Sequence, residues 1–331
     1  MAYFVLRFDL RNPAAAETTM AERYQTALDM AAWADTLGFA AVILSEHHGS
    51  DDGYLPSPLT MAAAVAGRTR QIRIMVSALV APFYDPLRLA EDAAVVDNLS
   101  GGRLDLVIGA GYVPAEFAMF GVERGERARR SVDVITTLRQ AWTGQPFDYR
   151  GRTVRVTPAP SRPGGPGLMM GGSSAGAARR AARLGVPFVP TDGAVWEFFR
   201  AETILLGRAD PGPYAGGDTS FVHLAHDVDR GWDQVAPYAL HEANSYGRWL
   251  AAAGPGVAAS AYRAVESASE LRAAGQYRVL RPAELVAELS GPGTRSLTVH
   301  PMMGGIPPAV AWESLRLLER EVIPALPPAG R

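Results

Sequence analysis

The chain has 331 residues, 48% of them apolar, and a formal net charge of -2, enough to bury one large core or two medium ones. That balance leaves no electrostatic footprint for nucleic acid or an anionic membrane, and no apolar run approaches the ~20 residues that span a bilayer. Cysteine and lysine are both absent, which excludes disulfides, thiolate nucleophiles, iron–sulfur clusters and cysteine-ligated zinc, as well as Schiff-base, P-loop and kinase lysines. The expectation is a soluble cytoplasmic protein. Residues 1–10 read as a first strand and not as a signal peptide, because Arg7 and Asp9 interrupt the apolar run.

Strand-like and helix-like segments alternate from there. Residues 3–8 form the first strand. Thr19 and Glu22 make a capping-box pattern that opens a helix to about Leu37, where Gly38 ends it. Residues 40–45 are the second strand, and Ser57-Pro58 opens a helix to about Thr69. The third strand is 72–80, and Asp85-Pro86 opens a helix that ends at Ser100-Gly101-Gly102. The fourth strand, 104–109, precedes a helix over about 126–142. The Pro- and Gly-rich stretch 157–167 has the composition of a loop within a barrel.

Beyond it come a strand at 167–171, a helix at 174–184, a strand near 186–190 and a helix at 195–206. A loop (207–218) leads to a strand at 220–225 and to helical stretches that include 233–252. The last strand is about 296–300 and the last helix about 309–322. Eight β/α units in one chain predict a (β/α)8 TIM barrel with loop insertions, as a single domain over 1–331.

Chemistry in such a fold gathers where strands end and loops begin. His47 and His48 follow the apolar run 40–44 at such an end. Strand alternation turns Ile43, Ser45 and His47 toward the barrel interior and its mouth, so His47 is the catalytic candidate and His48 a supporting residue. Two surface histidines capping a strand would be the plainer interpretation. A catalytic metal is not expected. Glu46, His47 and His48 are consecutive and cannot converge on one ion along a strand, and His241-Glu242 opens a zincin-like pattern in which Ser245 replaces the second histidine.

Gly172-Ser173-Ser174-Ala175-Gly176 sits between a strand and a helix. It fits a nucleophile elbow with Ser174 as nucleophile, completed by Asp192 or Asp227 and then His300, which would make a serine hydrolase. It also fits a phosphate cradle at a helix N-terminus, the preferred alternative, or a plain glycine turn. Gly109-Ala110-Gly111 lacks the third glycine of a dinucleotide fingerprint, with Pro114 in its place.

Several further blocks occur in a fixed order. They are Gly38-Phe39, Leu44-Ser45-Glu46-His47-His48, Ser57-Pro58, Thr69-Arg70, the run 85–92, the run 97–104, Gly109-Ala110-Gly111-Tyr112, Glu116-Phe117 and Phe120-Gly121. Together, with 171–185, they resemble the bacterial luciferase-like flavin-dependent monooxygenase family over about half the chain.

The resemblance implies a barrel that binds reduced FMN, or in some branches the deazaflavin coenzyme F-420, at its C-terminal mouth. By position His47 matches the histidine beside the isoalloxazine ring. Ser77 and Ala78 match the pair that backs the ring through a cis peptide, and Gly172, Ser173 and Ser174 match the phosphate site. Gly109, Gly111 and Gly171 join them as cofactor-binding candidates, and Phe8, Tyr112 and Met302 as substrate-facing ones.

There are two departures. Gly109 and Ala110 stand where luciferase has a cysteine and a phosphate-binding arginine, and Tyr112 stands where the deazaflavin sugar-phosphate dehydrogenases have a catalytic acid. The implied activity is monooxygenation of a small organic substrate with reduced FMN and O2. A deazaflavin-dependent hydride-transfer oxidoreductase is the alternative. With no nicotinamide motif visible, a separate flavin reductase is the expected partner, and a homodimer the expected assembly.

Overall fold

The computed structural model describes residues 2–216, 221–254, 264–291 and 295–326. The first half runs β1 (Ala2–Phe8), α1 (Met20–Thr36), β2 (Ala41–Leu44), α2 (Pro58–Arg68), β3 (Arg73–Val80), α3 (Pro86–Ser100), β4 (Leu104–Gly109), α4 (Pro114–Phe120) and α5 (Arg127–Ala141). A short hairpin follows, β5 (Phe147–Tyr149) and β6 (Arg152–Val154), then β7 (Gly167–Gly172), α6 (Ala175–Leu184), β8 (Phe188–Pro190) and α7 (Gly193–Leu205). The remainder is β9 (Phe221–Leu224), α8 (Val228–Ala253), α9 (Ala268–Ala274), β10 (Tyr277–Leu280), α10 (Pro282–Leu289), β11 (Arg295–Val299) and α11 (Pro308–Leu317).

The seven-stranded sheet is parallel, in the order β11-β1-β2-β3-β4-β7-β8. All six residues of β4 are buried, as a parallel strand covered on both faces requires. The helices close over the sheet with small residues. α6 buries Ala177, Ala178, Ala181 and Ala182, a spacing that lines one face of a helix and lets it approach closely. Local signals act as expected at the ends: Thr19 and Glu22 form the reciprocal capping box of α1, and Asp85 accepts the backbone N–H groups of Leu87 and Arg88 at the start of α3.

The strand count differs from the eight expected. β9 pairs in parallel with β10, a strand that the sequence pattern did not suggest, and β9 packs against β11. Among the described residues no ladder bonds join β8 to this pair. β8 has three residues and ends on Pro190, which has no N–H to donate. The hairpin β5–β6 and helices α4, α9 and α10 were likewise unanticipated; none exceeds eight residues. Ser220, placed in the seventh strand by its pattern, lies outside the described residues.

His223 on β9 is buried, whereas His226, three residues on, is exposed and lies 3.1 Å from Glu321. Burial pushes the His223 pKa from 6.5 down to about 4. Between those values the unfolded chain binds a proton that the folded chain refuses, so acidification destabilises the fold. Across pH 6.5 to 4 the wild type should lose up to about 3 kcal/mol more stability than His223→Phe. Urea unfolding at several pH values measures this, and equal pH slopes for the two proteins would show that His223 is not the titrating group.

Candidate active site

The segment after β2 places its side chains alternately. Glu46 is buried and ties the ends of two strands together. Its Oε2 accepts the Val80 N–H (2.7 Å), and its Oε1 accepts the Tyr84 hydroxyl (2.9 Å) and faces His48 Nε2 (2.8 Å). Burial, with Glu46 beside it, raises the Tyr84 pKa. His48 thus points to Glu46 and packs edge-on against Phe83 and Phe120.

His47 turns the other way. Its Nδ1 lies 2.7 Å from Glu116 Oε1, which also accepts the His48 backbone N–H at 3.0 Å. An ionised carboxylate can only accept, so Nδ1 carries the hydrogen. Glu116 is buried in the first turn of α4, where the helix dipole favours a negative charge. Nε2 of His47 has no hydrogen-bond partner among the described residues.

Four aromatic rings surround the imidazole. Tyr54, Tyr112 and Tyr246 meet it edge-on at 4.9, 5.6 and 5.8 Å, and Trp249 stacks on it at 4.2 Å. Two of these rings come from α8, which crosses the end of β2 where His47 sits.

A buried ionic network fixes α8 there. Asp52 accepts Arg11 Nη1 (2.5 Å) and lies 2.6 Å from His241 Nε2. Burial works against the Asp52 charge, but His241, Arg11 and Ser50 outweigh it and hold the pKa well below the usual range. Arg23, also buried, donates to the carbonyls of Met302, Gly305 and Ile306 and so holds the turn after β11.

Asp9, Glu242 and His300 bring their ligand atoms within 4.8 Å of one another. His300 offers Nε2 to Asp9 (3.6 Å) and Nδ1 to Glu242 (3.8 Å). One ion cannot use both ring nitrogens, and Arg11 Nε is 3.6 Å from the same Asp9. The arrangement therefore suits an imidazole set between two carboxylates better than a metal. Burial raises the Glu242 pKa. It works the same way on Asp9, where His300 and the arginines Arg11 and Arg23 reverse it.

At the end of β3 the Ser77–Ala78 peptide is cis, and the register to β4 shifts there. A Cβ at Gly109 would meet Ala78 Cβ at 2.8 Å, and one at Gly171 would meet Val107 Cγ1 at 2.9 Å and Ala78 at 3.9 Å. Both positions therefore require glycine if the three strand ends are to close around Ala78. Gly111, at φ +71°, likewise abuts Val80.

Ser174 caps α6 by accepting the Ala177 N–H. Arg180, one turn further on, has a buried Nε without a partner, and burial together with the neighbouring Arg127 lowers its pKa. The Arg180 guanidinium, whose Nη1 reaches back to 3.5 Å from a Cβ built at Gly176 in the first turn of α6, suits an anion there. Neither arginine was singled out from sequence, although Arg180 follows Ser174 by six residues on the same helix.

Other candidates are placed differently. Phe8 and Met302 are both 1% exposed and belong to the apolar core. Asp192 and Asp227 cap α7 and α8, and His300 faces Asp9 and Glu242. Among the described residues the hydrolase triad on Ser174 is not assembled.

Residues 4–294 match the model of the luciferase-like monooxygenase family. The chain belongs to that family. The oxygenase component of the flavin-dependent trigonelline monooxygenase of Acinetobacter baylyi is 28% identical over 137 residues, 41% of this chain and 38% of that protein. The F420-dependent glucose-6-phosphate dehydrogenase of Microbacterium testaceum is 30% identical over 206 residues, 58% of this chain and 59% of the dehydrogenase. Three other curated relatives are matched over only 32% to 39% of their own length. The crystal structure of the monooxygenase RslO1 from Streptomyces bottropensis superposes with a TM-score of 0.76 at 23% identity, covering 97% of this chain and 99% of that one. The luciferase-like barrel thus extends over nearly the whole chain.

Proposed function

We propose that this luciferase-like protein is the oxygenase of a two-component flavin monooxygenase, acting on a small organic substrate with reduced FMN and O2. The observation that carries the proposal is the buried His47–Glu116 pair at the end of β2, whose Nε2 has no hydrogen-bond partner among the described residues. Reduced FMN would supply the electrons that activate O2.

The chain has the residues to hold it. Ser173, Ser174 and the start of α6 form the phosphate cradle, with Arg180 and Arg127 in place of the arginine absent at Ala110. Ser77 and Ala78 back the ring, and Gly109, Gly111 and Gly171 leave room for the strand ends that shape its seat.

His47 holds or moves the proton at Nε2, while Glu116 fixes the tautomer through Nδ1 and offsets the charge that appears when Nε2 is protonated. Tyr54 and Tyr246, packed edge-on against the imidazole, would help exclude water there. Electrons would come through a separate reductase, as the name of the Acinetobacter relative, an oxygenase component, suggests for this class. The proposal includes a homodimer in the cytoplasm. Among the described residues no helix is long and apolar enough to cross a membrane.

Anaerobic titration with reduced FMN and with coenzyme F-420, followed by oxygen, tests the proposal. Tight FMN binding with oxygen-dependent turnover supports it. Exclusive F-420 binding would move the chain to hydride transfer, the second reading, which the long match to the glucose-6-phosphate dehydrogenase favours.

The cradle has its own test. Arg180→Gln is expected to weaken FMN binding by about tenfold, one charge-assisted contact, with a smaller loss for riboflavin, which lacks the phosphate. Equal losses for both ligands would place Arg180 away from the phosphate. Ser173→Ala combined with Ser174→Ala should follow the same pattern.

A further inference from the structure

The faces of His47 and Arg11 share one neighbour. The Trp249 indole stacks on the His47 imidazole at 29° and 4.2 Å, and the Arg11 guanidinium carbon lies 4.7 Å from the centre of the same indole. Arg11 is fully buried, and its Nε and Nη2 have no hydrogen-bond partner. Burial opposes its charge, but the carboxylates of Asp9 and Asp52 keep it charged. Nη2 of a permanent cation is thus left wanting an acceptor, while Nε has the Asp9 carboxylate at 3.6 Å, in a place walled by Tyr54 and Tyr246, over whose rings the same guanidinium sits at 4.7 and 5.1 Å.

Trp249 is also the least tethered of the rings there. The Tyr54 and Tyr246 hydroxyls bond each other at 2.9 Å, and Arg7 Nη2 donates to Tyr246. The indole makes no hydrogen bond among the described residues and stands in the last turns of α8, four residues before its end. As it stands, it covers the imidazole that the proposed chemistry needs, leaving His47 8% exposed.

We propose that the substrate is a planar, oxygen-bearing aromatic compound, a phenol or an aryl ketone, which displaces the Trp249 indole and takes its place against His47 and Arg11. A flat ring satisfies the stacking surface that the indole now satisfies. An electron-rich ring suits a neighbouring guanidinium, and an oxygen at its edge supplies the acceptor that Nη2 lacks. The buried Tyr54–Tyr246 hydroxyl pair stands in the wall of the same place. Trp249 is then a resident stand-in for the substrate ring, and every binding event must first move it. The inference rests on the monooxygenase reading for calling the ligand a substrate, but the binding place stands on Arg11, His47 and Trp249 alone.

The probe is 2-naphthol, with its saturated counterpart 2-decalol as control, titrated calorimetrically into the full chain with and without saturating FMN. 2-Naphthol should bind about tenfold tighter than 2-decalol. Trp249→Ala should tighten 2-naphthol binding by about tenfold, because the fraction of molecules with the place open rises, and Trp249→Phe should do so less. Binding should persist at saturating FMN.

Equal affinity for the two probes overturns the proposal, as does weaker 2-naphthol binding in Trp249→Ala at an unchanged melting temperature. Mutual exclusion with FMN also overturns it, because the place would then be the cofactor's own. If FMN fails to bind while 2-naphthol keeps its preference, the function reading falls and the aromatic place stands. If FMN binds and turns over but 2-naphthol shows no preference, the reverse holds.

Discussion

His47→Ala is expected to lower turnover by two to four orders of magnitude, on the order of what a positioned general acid–base contributes, while FMN binds nearly as before. His47 Nδ1 is held by Glu116 at 2.7 Å, which fixes the orientation of the ring, and Nε2 has no hydrogen-bond partner among the described residues. Single-turnover kinetics with any substrate the wild type oxygenates measures the loss. Wild-type rates in the variant would remove His47 from the chemistry.

Glu116→Gln separates orientation from charge. It keeps an acceptor for Nδ1 but no longer offsets a positive imidazole, so kcat should fall about tenfold with KM unchanged. A rise in KM alone would instead mean that Glu116 shapes the binding place.

The second large effect concerns stability. Asp52→Asn should cost about 3–5 kcal/mol of unfolding free energy, the usual result of stripping one partner from a buried ion pair. Asp52 compensates Arg11, which is fully buried, and binds His241 on α8. Without it Arg11 keeps only Asp9, at 3.6 Å.

The pH dependence has a definite sign. The folded-state pKa of Asp52 lies below its ordinary 3.8, so its contribution is present above that value and is lost as pH falls further. Urea unfolding at neutral pH and below pH 3.8 should therefore show the gap between wild type and Asp52→Asn narrowing on acidification. A gap of the same size at both would mean that Asp52 does not act through its charge.

Much of this was legible from local pattern. The capping residues Thr19, Asp85 and Ser174 stand where their helices begin, and strand alternation alone separates His47 from His48. The partners of the site were not legible, because they lie far along the chain. Glu116 is 69 residues from His47 on a seven-residue helix too short for periodicity to reveal. Arg11 and Asp52 are 41 apart, and Asp52 and His241 are 189 apart. Phe8 and Met302 show the converse: strand-end position suggests a mouth-facing side chain, yet the space is filled by core. β10 escaped notice for a third reason. Four residues of strand carry too little alternation to be distinguished from a loop.

The way α8 is fastened divides labour along the chain. The proposed proton handling rests on the segment after β2 and on α4, whereas two of the four rings around His47 come from one helix about 200 residues later. That helix is anchored through His241 and Glu242, a full turn or more before Tyr246 and Trp249. Its distal end can therefore accumulate substitutions that redirect selectivity while the reacting imidazole and the core beneath it stay as they are. In directed evolution, a library confined to residues 248–252, none of them buried, would sample new substrates at little risk to folding.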